Sequence, residues 1–229
     1  MKIHASLMIL CLASGNLWAA ESTDLKTQEQ RQSYHLGYQQ GNNFKQNDVA
    51  LDVDVFSRGL KDALSGRASA LSDAEVQATV KAFTEQRARK ANEQGDQNLK
   101  EGEAFLAENK KKSDVKTLPS GLQYTILKSG EGKSPSINDT VVAHYRGTLL
   151  NGKEFDSSYK RKEPATFPLG NVIKGWQETL PLLREGGKMK IFVPSSLAYG
   201  PRGAGGLIGP NATLIFDIEL VSVKSAAKP

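Results

Sequence analysis

The sequence predicts an α+β protein in which a C-terminal antiparallel sheet wraps around one short helix, preceded by an all-α dimerisation region and a long connecting helix. Three observations predict it. Apolar residues recur at helical spacing through the first half, and no proline intervenes between Ser72 and Leu118. After Pro119-Ser120-Gly121 the text changes to alternating, β-branched runs separated by glycine turns.

In the helical part, residues 24–47 are polar with aromatic side chains at Tyr34, Tyr38 and Phe44. Tyr34 and Tyr38 share a helix face, as do Gly37 and Gly41, and the glycines let another helix come close. Val53 to Leu64 reads as a second helix, with Val55, Phe56, Gly59, Leu60 and Ala63 on one side and Gly66 at a left-handed cap. Ser72-Asp73-Ala74-Glu75 is a capping box that opens a third, continued by Val76, Val80 and Phe83. From Thr84 to Asn109 the pattern is almost wholly polar, broken by alanines, Leu99, Phe105 and Leu106. A helix over the whole stretch extends about 60 Å at 1.5 Å per residue. It carries too little apolar surface to be buried along its length. It is therefore expected to cross solvent between domains, with Gly95 and Gly102 as weak points where it bends. Short amphipathic helices bury little within one chain, so residues 21 to about 90 are expected to interlace as a homodimer.

In the C-terminal part, Leu122–Leu127, Thr140–Leu149, Lys188–Val193 and Ala212–Val223 read as strands. Gly130-Glu131-Gly132, Asn151-Gly152 and Gly186-Gly187 supply turns, and Trp176 to Leu183 suits one helix.

The first twenty residues read as a secretion signal. Lys2 and His4 begin it, Ala5 to Ala13 is nearly all apolar, and Ala19 or Ala20 offers a cleavage point. The apolar run falls well short of the ~20 residues that span a bilayer. Cys11, the only cysteine, lies inside the signal after Leu10, where lipid modification is not expected. The mature chain then has no disulfide and no thiolate chemistry, and its core alone must hold it together. The expected partition is signal peptide 1–20, helical dimerisation domain 21–71, connecting helix 72–112 and C-terminal domain 113–229.

Charge excludes some functions. The 30 basic and 25 acidic side chains of this 229-residue chain leave a formal +5, spread along its length. The densest run, Lys110-Lys111-Lys112, suits a solvated helix end, so no nucleic-acid partner is expected. Outside the signal the histidines are His35 and His144, far apart, so neither a metal site nor a Ser-His-Asp arrangement is expected. Gly132-Lys133-Ser134 lacks the upstream glycine of a phosphate loop, since Leu127 stands there. Gly203-Ala204-Gly205-Gly206 lacks dinucleotide spacing. No cofactor is expected.

The C-terminal part carries a resemblance. Val142-Ala143-His144-Tyr145-Arg146-Gly147, Gly152-Lys153-Glu154-Phe155-Asp156-Ser157-Ser158, Val172-Ile173-Lys174-Gly175-Trp176, Ala198-Tyr199-Gly200 and Ala212-Thr213-Leu214-Ile215-Phe216-Asp217-Ile218-Glu219-Leu220 follow in order. Together, over residues 118–223, they resemble the FK506-binding (immunophilin) class of peptidyl-prolyl isomerases. The helical front half and the Tyr199-Gly200-Pro201-Arg202 loop are similar to the macrophage infectivity potentiator branch of exported bacterial enzymes.

The resemblance implies rotation of X-Pro peptide bonds in other proteins, in an apolar pocket that favours the twisted amide. By that resemblance Trp176 is the floor under the substrate proline, and Tyr145, Phe155, Val172, Ile173 and Phe216 are walls. Phe167 and Ile208 complete the rim. The Ile173 backbone N–H and the Tyr199 phenol bind substrate carbonyls. Asp156 lies near the rotating carbonyl and holds neighbouring groups rather than moving a proton. Taken singly, most of these residues would be ordinary core or turn residues; their ordered conjunction carries the inference. Two departures stand out. Ala165 follows Pro164 where many members carry an aromatic, with Phe167 two residues on, and Ala204 stands where many carry a histidine.

The implied partners are folding proteins with X-Pro bonds, a second copy of the chain, and macrolides such as FK506 and rapamycin as inhibitors. The implied location is the periplasm or the outer membrane. A competing reading is a non-catalytic chaperone or adhesion factor that keeps the pocket for binding alone.

Overall fold

The computed structural model describes residues 25–47 and 49–225. The expected signal peptide lies outside them. The chain forms two compact units, one ending at Asp52 and the other starting at Val53.

The first unit holds helix α1 (Gln28–Gln46), opened by a capping box between Thr27 and Gln30. Tyr34 and Tyr38 stack at 6.0 Å between centroids, one turn apart, and both are exposed.

The second unit begins with α2 (Val53–Leu64). Gly66, at φ +72, takes the left-handed conformation that a side chain would strain. Helix α3 (Asp73–Asn109) starts at the expected box, where Ser72 N donates to Glu75 Oε2 at 2.8 Å. Val55, Leu60, Val76, Val80 and Phe83 are all exposed, so these two helices present unburied apolar surface.

The far half of α3 departs from expectation. Gly95, Gly102 and Asn109 are its buried residues, spaced by seven along one face. A Cβ on Gly102 would lie 2.2 Å from Thr213 Oγ1, and one on Gly95 3.2 Å from Pro210 Cβ. These glycines are contact points, not hinges. Asn98 Nδ2 donates to Pro210 O at 2.7 Å, and the Phe105 ring meets Phe192 at 5.7 Å. Gln123 Nε2 donates to Leu106 O at 2.8 Å, and Asn109 Nδ2 donates to Gln123 Oε1 at 2.9 Å. This half of the helix docks on the sheet through absent side chains, amide hydrogen bonds and the Phe105 ring, a contact that leaves no apolar stripe in the sequence.

The sheet comprises β1 (Lys116–Thr117), β2 (Gln123–Lys128), β3 (Thr140–Leu149), β4 (Glu154–Ser157), β5 (Ala165–Pro168), β6 (Lys188–Val193) and β7 (Leu214–Lys224). Its order is β1-β2-β6-β7-β3-β4, with β5 also on β3 and every pairing antiparallel. The outer edge of β3 is shared. β5 pairs with Thr140–Ala143 and β4 with Arg146–Thr148. Between them Ser158 Oγ accepts from Tyr145 N at 2.9 Å and donates to Tyr145 O at 3.3 Å, satisfying the backbone where the ladder is interrupted. Ser158 opens the short helix α4 (Ser158–Arg161).

The core follows from period-two alternation. Leu214, Phe216, Ile218 and Leu220 on β7 are buried, as are Met189, Ile191 and Val193 on β6 and Val141, Ala143 and Tyr145 on β3. Helix α5 (Lys174–Thr179) lies in this core, bringing Trp176 with it. A Cβ on Gly175 would sit 2.6 Å from Val193 Cγ1, so glycine sets how closely α5 approaches the sheet. The helix expected to reach Leu183 changes to a 3₁₀ turn over Leu180–Leu182, because Pro181 has no N–H for the α-helical ladder.

Candidate functional site

A cavity of about 480 Å³ opens over the N-terminal end of α5. Trp176 is buried at its base. Three rings stand edge-on to the indole: Tyr145 at 5.4 Å and 83°, Phe216 at 5.5 Å and 83°, and Phe167 at 5.7 Å and 85°. Phe155 meets Phe216 at 5.6 Å in the same manner. Edge-to-face contact suits aromatic quadrupoles and fixes the rings in place. Val172, Ile173, Ile208, Tyr199, Ala204 and Leu207 add to the apolar lining, and Asp156 supplies its carboxylate. All ten residues singled out from the sequence line this one cavity, Phe167 among them.

β3 and β7 explain the arrangement. Gly147 pairs with Phe216 on one side and Asp156 on the other. A Cβ on Gly147 would fall 2.5 Å from Phe155 Cζ and 3.0 Å from Phe216 Cε1. Those two rings occupy the space that a side chain at 147 would take.

The polar edge of the cavity is a closed network. Asp156 accepts from the Tyr145 hydroxyl, from Arg161 Nη1 at 2.7 Å and from Ser157 N at 2.8 Å. Arg161 Nη2 also donates to Tyr145 Oη at 2.9 Å. Burial pushes the Asp156 carboxyl up, but the hydrogen bonds from Tyr145 and Arg161 and the guanidinium charge outweigh it and hold the group below its ordinary value. Burial, then the hydrogen bond to Asp156, pushes the Tyr145 phenol up. The carboxylate stays ionised at neutral pH with its oxygens engaged, which suits positioning rather than proton transfer.

Two donors on residues that line the cavity have no acceptor among the described residues. One is the Ile173 N–H at the start of α5, where the first helical amides have no intrahelical partner. The other is the Tyr199 hydroxyl, whose ring is partly exposed and whose phenol burial pushes up. Gln177 fixes the segment before α5 by donating from Nε2 to Val172 O at 2.7 Å and Gly170 O at 3.0 Å. The loop carrying Tyr199 and Ile208 closes through a bridge between Ala204 and Ile208 and through Asn211 N donating to Gly200 O at 2.8 Å.

Sequence reasoning missed Arg161, Gln177 and Leu207. Arg161 had a signal: it follows Asp156 by five residues, in a turn that brings the chain back over β3. Gln177 and Leu207 have none outside the fold. His144 is half-buried on β3, with Nδ1 3.1 Å from Ser158 Oγ and its ring stacked on Tyr159 at 4.9 Å.

The family model of FKBP-type peptidyl-prolyl cis-trans isomerase matches residues 131–221, and that of the domain amino-terminal to such isomerases matches residues 29–126. The peptidyl-prolyl cis-trans isomerase Mip of Coxiella burnetii is 46% identical over 210 residues, covering 90% of this chain and 91% of that protein. The chain belongs to the FKBP-type peptidyl-prolyl cis-trans isomerases. The outer membrane protein MIP of Legionella longbeachae is 41% identical and covers 98% of each chain. Among solved structures, the crystal structure of FkpA from Escherichia coli matches with a TM-score of 0.64 at 39% identity, over 88% of this chain and 99% of that one. Both family segments meet in this chain. The amino-terminal one spans α1 to α3 and reaches β2, and the isomerase one spans the strands that build the cavity.

Proposed function

We propose that this FKBP-type isomerase seats a substrate proline on Trp176 and speeds cis-trans rotation of the preceding bond by binding the twisted amide better than the planar one. A peptide C–N bond resists rotation by about 18–20 kcal/mol because resonance gives it double-bond character. Midway through the turn that resonance is lost, the carbonyl is less polar, and the nitrogen lone pair is localised. A pocket walled by rings penalises the polar planar amide more than the twisted one, so binding alone lowers the barrier. The Ile173 N–H and the Tyr199 hydroxyl hold flanking carbonyls, and Asp156, fixed by Arg161, keeps Tyr145 in register. No covalent step and no cofactor enter.

The observation that carries this reading is the Trp176 plane with Tyr145, Phe167 and Phe216 set perpendicular to it. The test is rotation of a proline tetrapeptide, with and without FK506. Acceleration over buffer that the macrolide abolishes supports the reading, and a rate equal to buffer refutes it.

We further propose the functional partition 1–20 export signal, 21–71 dimerisation, 72–112 connector and 113–229 isomerase. Exposed apolar residues on α2 and the start of α3, Leu60 and Phe83 among them, support a homodimer through the front half. Light scattering on residues 21–229 that returns a monomer would refute this part. Two linked pockets would grip one client at two points, which supports holding activity against aggregation. The signal-like first twenty residues, and the outer-membrane name of one relative, support export to the periplasm or outer membrane.

A further inference from the structure

A second cavity of about 340 Å³ lies between α3, the turn after β3 and the loop that closes the proline pocket. Gln94, Asn98 and Glu101 line it from the helix, Asn151 and Lys153 from the turn, and Leu207 from the loop. Leu207 also lines the proline pocket, so the two cavities share one wall.

Next to Leu207 the boundary carries two residues without side chains. Gly205 faces the proline pocket and Gly206 the second cavity. Their φ values are +58 and +69, and a Cβ at either would meet nothing within 4 Å. Positive φ favours glycine here, and the two glycines add no side chain at the boundary beyond the shared Leu207.

We propose that this cleft is a subsite for the stretch of client polypeptide flanking the proline, an inference that rests on the isomerase reading above. Its chemistry fits an extended peptide and no compact charged ligand. The floor offers apolar Leu149, Leu150 and Ala212, while the rim mixes amide groups with one cation and one anion. The Lys153 ammonium has no carboxylate partner among the described residues. Among the described residues Glu101 accepts only from the neutral Gln97 amide. Neither charge dominates, so main-chain N–H and C=O groups of varied sequences find partners. Asn98 sets the width of the cleft: it accepts from Gln94 Nε2 at 2.9 Å and donates to Pro210 O at 2.7 Å, tying the helix to the loop. The docked half of α3 thereby becomes part of the substrate path.

The test uses the full chain and two substrates, a proline tetrapeptide and an unfolded disulfide-free protein whose refolding waits on a proline. Gln94→Trp and Glu101→Trp fill the cleft from exposed positions of α3. The expected result is a KM for the protein substrate raised about five-fold or more, the scale of one or two lost hydrogen bonds, with kcat/KM for the tetrapeptide unchanged. As a readout independent of folding in the variants, a peptide of about twelve residues, long enough at ~3.3 Å per residue to leave the pocket, should shift the wild-type amide resonances of Lys153 and Gly206. The tetrapeptide should not. Equal losses on both substrates, no loss on either, or unmoved Lys153 and Gly206 resonances would overturn the proposal. A wild type inert towards the tetrapeptide would instead sink the isomerase reading, and this one with it.

Discussion

Arg161 Nη1 donates to Asp156 Oδ1 at 2.7 Å, from a four-residue helix that starts two residues after the aspartate. The ion pair is partly exposed, so its worth lies in geometry more than in stability. It fixes the carboxylate that receives the Tyr145 hydroxyl, and Tyr145 is one of the rings set against Trp176. A surface arginine thus sets the angle of a buried wall.

The first prediction concerns pH. The Asp156 carboxyl is held below its ordinary value, so what it contributes is present above its unfolded value and is lost as pH falls through the lower folded one. The wild-type rate on a tetrapeptide should therefore be flat from neutral pH to below the ordinary aspartate value of about 3.9. Arg161→Ala removes a hydrogen bond and a positive charge that favour the anion. Its acid limb should move to higher pH. Superimposed profiles would show that the arginine does not govern the carboxylate.

Trp176→Leu keeps apolar character but removes the flat floor. We expect kcat/KM on a tetrapeptide to fall about tenfold or more, corresponding to roughly 1.4 kcal/mol or above. The far-ultraviolet circular dichroism should stay native. A variant that folds and retains its full rate would contradict the role given to the indole.

Tyr199→Phe deletes only a hydroxyl that has no partner among the described residues. Loss of one ordinary hydrogen bond to substrate corresponds to a rate lowered about two- to tenfold, with the melting temperature unchanged. A rate equal to wild type would mean that the phenol binds nothing.

Gly147→Ala places a methyl against the rings of Phe155 and Phe216. Both must tilt, so isomerase activity should fall along with stability, the latter by about 1–3 kcal/mol as for other overpacked cores. Gly175→Ala crowds Val193 and Leu122 behind α5 in the same way and should cost a similar ~1–3 kcal/mol in denaturant unfolding. Either variant unfolding at the wild-type midpoint would show that the sheet has slack at that position.

Legibility in the sequence followed physical range. Strands β3 and β6 run over the residues their alternation predicts, because each buries one face and period two is a local signal. The cavity lining was legible because five blocks stand in a recognisable order. Strands β4 and β5, of four residues each, were not, since they pair only with parts of β3 and are too short to show a period. The docking of α3 is not legible because most of its contacts run through Gly95, Gly102 and Asn98, residues that signal no burial when alone, and Phe105 stands as an isolated ring in a polar stretch. Gln177 acts across a turn whose geometry exists only in the folded chain, whereas Arg161 stands five residues after Asp156 and was within reach of the sequence.

The proposed mechanism asks nothing of proton movement, since an X-Pro amide carries no N–H and its C–N bond turns with no bond to hydrogen made or broken. Its most direct measurement is kcat/KM for tetrapeptide isomerisation in light and heavy water, on full-length protein at neutral pH. The account predicts a ratio near unity. A ratio of about two or more, as general acid-base transfer produces, would contradict it.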